Sequence, residues 1–260
     1  METLTYLLPA IAIAMARPLG LLLVLPVFST RVLGGAMVRN SLLLLIAIPM
    51  LPTVIGLPVV HATAAEWWPL TMLVAREVVI GALLGFFAAI PFWAIGMAGF
   101  MLDTVRGSSM ASVLNPMLGE QASVFGILLS QVLTVVFLVS GGFNVLLSAL
   151  YESYRMLPPA LGFGLHGEFV PFVLRGWRAM WDLCLLFSMP AVAGMLLVDV
   201  ALGLVNRSAQ QLNVFFLAMP IKSAVALFLV AISLPYALAP YRQSFDGFGQ
   251  TAEALIRFLR

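Results

Sequence analysis

The chain has 260 residues, of which 62% are hydrophobic and only 9% charged, with a mean hydropathy of +1.09 and a formal net charge of +2. A soluble domain carries roughly a quarter charged residues. No water-soluble fold of this length has interior enough to hide so much apolar surface, so lipid, other apolar subunits, or both must solvate it. The charge balance is too small to argue for a nucleic-acid partner.

The first stretch, METLTYLLPAIAIAMARPLG, carries no basic residue ahead of its apolar run, and its first charge is Glu2. It reads as a retained first membrane helix rather than a cleaved signal. Six apolar stretches lie at about 3–30, 41–60, 69–101, 122–150, 183–205 and 213–240. Each is near or above the roughly 20 residues that cross a hydrocarbon core as a helix. Leu, Ala, Phe and Gly are mixed along them without two-residue alternation, which predicts an all-α polytopic membrane protein rather than a barrel. The clearest span is 121–151, uncharged between Glu120 and Glu152.

Prolines recur inside the spans at 18, 26, 49, 52, 91, 190, 220 and 235. Each removes a backbone hydrogen bond and bends or ends its helix, so bent hairpins leaning on neighbours are expected. The positive charges set no orientation. Six arginines (155, 175, 178, 242, 257 and 260) fall on the side of the termini and four (31, 39, 106 and 207) opposite. Segment 152–182 is the most polar connection. It divides the chain into an amino-terminal part, 1–180, and a carboxy-terminal helical hairpin with its tail, 181–260.

Most enzyme signatures are absent. His61 and His166 are isolated, no carboxylate cluster has metal-ligand spacing, and no phosphate-cradling GxxxxGK[ST] loop occurs, so neither metal nor cofactor is implied. The single cysteine, Cys184, sits in an apolar run and reads as a small buried hydrophobe. Ser108-Ser109 could suggest an intramembrane serine protease, but that chemistry needs a base the spans do not supply. Arg76 and Glu77 point about 100° apart on one helix and are not expected to face one partner. Arg17 breaks the first apolar run and is taken to face protein.

Two stretches carry more information. Segment 103–126, DTVRGSSMASVLNPMLGEQASVFG, joins two long apolar helices with small residues, an Asn115-Pro116 turn and the methionines 110 and 117. Asp103 and Arg106, at i and i+3, can pair at a helix end. Methionine repacks at little cost, which suits a deformable seal; a plain connecting loop is the other reading. Segment 199–223, DVALGLVNRSAQQLNVFFLAMPIKS, has a polar centre from Asn206 to Asn213. A turn between Gln210 and Gln211 puts Asp199 and Lys222, the only lysine, eleven residues away on each side and at one depth of an antiparallel hairpin. Intramembrane charges face partners, so an Asp199–Lys222 ion pair or a shared polar seam is expected, with proton relay as the alternative role.

Together these stretches resemble the FliR/SctT (SpaR/YscT/HrcT) family of type III secretion export-apparatus proteins. The resemblance rests on D-x-x-R-G (Asp103 to Gly107), Asn115-Pro116, G-x-x-N-R (Gly203 to Arg207) and Q-L-N-V-F (Gln211 to Phe215). M-P-I-K-S (Met219 to Ser223) leans to the injectisome branch, and Gln210 departs from relatives that often carry proline there. The likeness covers essentially the whole chain. It implies a non-enzymatic core component of a protein-conducting export gate in the bacterial inner membrane, helping to form and seal the channel for unfolded substrates. It further implies a helical, cone-shaped hetero-oligomer standing largely above the bilayer. The implied partners are several copies of a pore-forming helical protein, several copies of a small two-helix protein, and an export-switch protein. The chain would resemble the first two joined end to end.

The resemblance also places 106–122 at the pore as a plug, with Arg106, Gly107, Ser108, Met110, Asn115, Pro116, Met117 and Leu118 as its residues. Asn206, Arg207, Gln211, Asn213, Phe215 and Pro220 become family residues of the assembly. A six-span small-solute transporter or channel is the rival reading.

Overall fold

A computed structural model of the chain describes residues 2–30, 32–56, 67–107, 123–159, 164, 167–208 and 214–259, and among them there is no strand. The α-helices, in chain order, are α1 (Glu2–Val24), α2 (Ala36–Ala47), α3 (Leu51–Ile55), α4 (Trp67–Arg106), α5 (Val124–Val139), α6 (Gly142–Met156), α7 (Phe169–Ser208), α8 (Val214–Ala237), α9 (Ala239–Asp246) and α10 (Phe248–Leu259). Short 3-10 turns at Pro26–Phe28 and Ile48–Met50 flank α2.

Among the described residues five helical stretches are long and apolar enough to cross a membrane: Leu7–Val24, Ala36–Ile55, Trp68–Arg106, Phe169–Ser208 and Phe216–Asp246. The pair α5–α6, bent by 68° at its break, makes a sixth if it is one broken span rather than a re-entrant loop. The uncharged stretch 121–151, the clearest span by composition, is therefore two helices. The break falls at Ser140-Gly141, where Gly141 takes φ +81°, a left-handed conformation that side chains with a Cβ resist. A hydropathy average does not register a dihedral angle.

The prolines act in two ways. Those at 26, 49 and 52 open short helical pieces, where the missing N–H costs nothing. Pro9, Pro18, Pro91, Pro190, Pro220 and Pro235 lie inside helices that continue past them. α4 and α7 have 40 residues each. At 1.5 Å per residue they are about 60 Å long, twice a hydrocarbon core. α7 also runs without interruption through residue 180.

The chain forms two compact units, Met1–Ile90 with Phe137–Trp177 and Ser244–Arg260, and Pro91–Val136 with Arg178–Gln243. In the first, α1 packs on α2 and α3, and α10 on α6. The backbones of α1 and α4 touch: a Cβ on Gly81 would stand 2.1 Å from the Arg17 carbonyl oxygen, and one on Gly20 2.1 Å from that of Val78. Lipid gives helices no hydrophobic reason to associate, so close approach through small residues does that work. α10 buries Phe248, Ala252, Leu255, Ile256 and Leu259 on one face, at helical spacing, and exposes Glu253 and Arg257.

In the second unit the core holds Ile95, Leu102, Leu129, Leu133, Phe187, Met195 and Tyr241. The Tyr241 hydroxyl donates to the Leu183 carbonyl at 3.0 Å, and its ring meets Phe187 edge-on with centroids 6.2 Å apart. Much apolar surface stays uncovered on α7 and α8. Leu197, Val200, Leu204, Phe216, Phe228 and Ile232 are all exposed. Only 11% of the most apolar window of Phe216–Asp246 is buried, against 61% for Trp68–Arg106. Water does not wet such a face, so it meets lipid or other apolar helices.

Candidate functional site

The second unit gathers charge around the end of α4. Asp103, buried one turn before that end, has Oδ1 2.8 Å from Arg106 Nη2. Its Oδ2 accepts hydrogen bonds from the Ser123 hydroxyl at 2.6 Å and from the Phe125 backbone N–H at 3.1 Å. The Ser123 hydroxyl oxygen accepts in turn from the Gly126 N–H at 2.8 Å. The first turn of α5 is thus capped by a local serine and by a carboxylate from α4, at the helix end where negative charge is favoured. The Arg106 guanidinium lies 4.9 Å from the Phe125 ring centroid. Gly107 closes α4 with φ +90°, and the Met219 side chain comes 3.7 Å from where its Cβ would be.

Lys222 of α8 stands between α7 and α4. Its Nζ is 2.5 Å from Asp199 Oδ1 and donates to the Val105 carbonyl at 3.3 Å. That carbonyl belongs to the last turn of α4, whose oxygens lack intrahelical partners. The Lys222 side chain is 14% exposed and that of Asp199 41%, so the pair opens on the α7 side. Asn206 and Arg207 are exposed in the last turn of α7, and Arg207 complements the negative end of that helix dipole. Pro220 is exposed within α8.

Ser108, Met110, Asn115, Pro116, Met117 and Leu118 lie outside the described residues, as do Gln211 and Asn213 and the side chain of Phe215. Of the plug residues, Arg106 and Gly107 are the described ones.

Sequence reasoning turns Arg17 toward protein but names no partner for it or for Glu77. In the first unit, Arg17 Nε contacts Glu77 Oε2, with both side chains fully buried. Arg17 also donates to the Ser153 hydroxyl at 3.1 Å and to the Leu157 carbonyl, and lies 4.3 Å from the Tyr154 ring centroid. Arg76 reaches Glu77 Oε1 at 3.2 Å and the Pro159 carbonyl at 3.0 Å. Arg76 and Glu77 turn to different groups, the Pro159 carbonyl and Arg17, while the long arginine side chain also curls back to its neighbour. Arg17 and Glu77 are sixty residues apart. The signal available was the rule that a charge amid apolar helices needs an opposite charge on another helix. Among the described residues no three His, Cys, Asp or Glu side chains come together as a metal site would need.

Apolar helices of spanning length, held by buried ion pairs, define a multi-pass helical membrane protein. The chain belongs to the bacterial export proteins, family 1, which it matches over residues 8–248. It is similar to secretion system apparatus protein SsaT of Salmonella typhimurium, with 45% identity over 239 residues, 92% of each chain. It shares 39% identity over 231 residues with Yop proteins translocation protein T of Yersinia pestis, 88% of this chain and 85% of that one. With flagellar biosynthetic protein FliR of Bacillus subtilis the identity is 29% over 177 residues, 67% of this chain and 68% of that one.

Proposed function

We infer that this chain is a core component of the protein-conducting export gate of a bacterial type III secretion system, a multi-pass protein of the inner membrane. The observation that carries the reading is the family match over residues 8–248, together with 39–45% identity to proteins named for secretion apparatus and Yop translocation. The higher identity to those proteins than to the flagellar relative supports the injectisome branch. The same relatives favour a gate over a solute transporter. Its role is to form and seal a conduit, not to catalyse.

The uncovered apolar faces of α7 and α8 support a hetero-oligomer. The partners we propose are several copies of a pore-forming helical protein, several copies of a small two-helix protein, and an export-switch protein, with unfolded substrates as transient cargo. Residues 1–180 would stand in for the first of these and 181–260 for the second. Pull-down of the tagged chain from native membranes tests this, and the expected result is two further helical membrane proteins at fixed ratio. A monodisperse chain that carries a small solute into vesicles by itself overturns it.

Segment 106–122 is proposed as the seal. A channel wide enough for an unfolded polypeptide must block ions when idle, and methionine and small side chains can close on nothing yet yield to any cargo. Deleting 108–118 should leave assembly intact and raise resting ion conductance; unchanged conductance returns the segment to a plain connection.

A further inference from the structure

The first unit contains a hollow of about 260 Å³ between α1, α2 and α4. α1 turns Met15 and Leu19 to it, α2 turns Asn40, Leu43 and Leu44, and α4 turns Val74. Asn40 is the one polar residue on its wall. Arg39 adjoins Asn40 and, four residues before Leu43, shares the face of α2 that carries Leu43. The Arg39 Nε is buried and has no hydrogen-bond partner among the described residues. The first turn of α2 contains no acidic residue to neutralise this cation.

Depth along the span gives these groups an order. Arg39 and Asn40 are the fourth and fifth residues of the spanning stretch Ala36–Ile55, about 5 Å from its end. A basic side chain at that depth reaches the headgroup level. Leu43 and Leu44 lie one turn further in, and Met37, Val38, Leu44 and Leu45 are exposed along the same helix. A cation and an amide toward the end of the span, then apolar walls toward its middle, match the order of polarity in a phospholipid. One turn of helix, about 10 Å across and about 5.4 Å long, is too large for the hollow, whereas the end of a hydrocarbon chain is not.

We propose that this hollow binds an anionic phospholipid. Its phosphate meets Arg39 and Asn40, and one acyl chain enters between Met15, Leu19, Leu43 and Leu44. Arg39 complements the charge of the headgroup, which for one basic residue at a membrane surface favours binding about fivefold. Walls from three helices hold the chain on several sides, unlike a lipid that only touches the exposed faces.

The test uses the chain purified in mild detergent with the partners it keeps, and phosphatidylglycerol carrying a photoreactive group at its chain end. Peptide mapping after irradiation should find the label on residues 12–19 and 40–44. Unlabelled phosphatidylglycerol should displace it at about fivefold lower concentration than phosphatidylcholine. Arg39→Gln should abolish that preference while Arg39→Lys keeps it, and Leu44→Trp, which fills the hollow from its exposed rim, should remove the label. Equal displacement by the two lipids overturns the proposal, and this comparison needs only the wild-type chain should a variant fail to assemble. Label spread along the exposed faces with no excess at the hollow marks bulk lipid and overturns it too. So does a hollow without label, which is then covered by a protein partner.

Discussion

Arg17 and Glu77 form an ion pair with neither side chain exposed, across the touching backbones of α1 and α4. Arg17 is shared among a carboxylate, a hydroxyl, a carbonyl and an aromatic ring, with one partner at each guanidinium nitrogen and the ring against its face. Glu77 is shared between Arg17 and Arg76.

Removing one member of such a pair leaves the other charged and without solvent, at a cost of roughly 3–5 kcal/mol. Arg17→Met and Glu77→Gln should therefore both lower the yield of folded protein and the unfolding temperature in detergent. Arg17→Met should be the worse, because it also removes the donor to the Leu157 carbonyl, while the Ser153 hydroxyl keeps its bond to the Leu150 carbonyl. Equal thermal shifts in the two variants would count against that sharing.

Glycines supply a contrast that needs no charge. Gly81→Ala drives a methyl into the Arg17 backbone and should cost about 1–3 kcal/mol by overpacking. At Gly96 the nearest atom to an added Cβ is the Ser130 hydroxyl oxygen, 3.8 Å away. Gly96→Ala should be neutral or gain up to about 1 kcal/mol of helix propensity. Thermal unfolding of the two variants side by side checks both signs.

Lys222 and Asp199 are not equivalent partners. Lys222→Met, with Asp199 retained, strands a carboxylate on an apolar face and frees the Val105 carbonyl, and assembly should be impaired. Asp199→Asn keeps an acceptor for Lys222, which also retains the Val105 carbonyl, and should be milder. Co-purification yield ranks them; normal assembly with failed transport in Lys222→Met would sink the pairing role.

The exposed apolar face of the α7–α8 hairpin should tolerate Phe228→Ala but not Phe228→Asp. Phe228 is 64% exposed within the chain, so truncation opens no cavity, while a carboxylate there meets lipid or an apolar partner. Recovery of the assembled complex from membranes for the two variants distinguishes the cases.

Composition reveals the spans because each holds enough apolar residues to satisfy a bilayer whatever its neighbours do. It misses the turn inside 121–151, since Ser140 and Gly141 lower the average little. It also misses α10, whose mean polarity hides the helical spacing of Phe248, Ala252, Leu255, Ile256 and Leu259. Counting outward from a turn at Gln210-Gln211 brings Asp199 and Lys222 to one depth because a hairpin has a single register, and the two are 2.5 Å apart. No such count links Arg17 to Glu77 or Asp103 to Ser123. Those contacts depend on how separate helices cross, which is set by glycines whose roles show only once the backbones are placed.

The bend at Ser140-Gly141 decides the parity of the spans counted among the described residues. Taken as one passage, Val124–Met156 gives an even count and puts both chain ends in one compartment. Taken as a dip that returns to its own side, it gives an odd count and sets them apart. Two small residues in an otherwise greasy stretch thus govern which face of the membrane every later connection greets, α7 and its hairpin included.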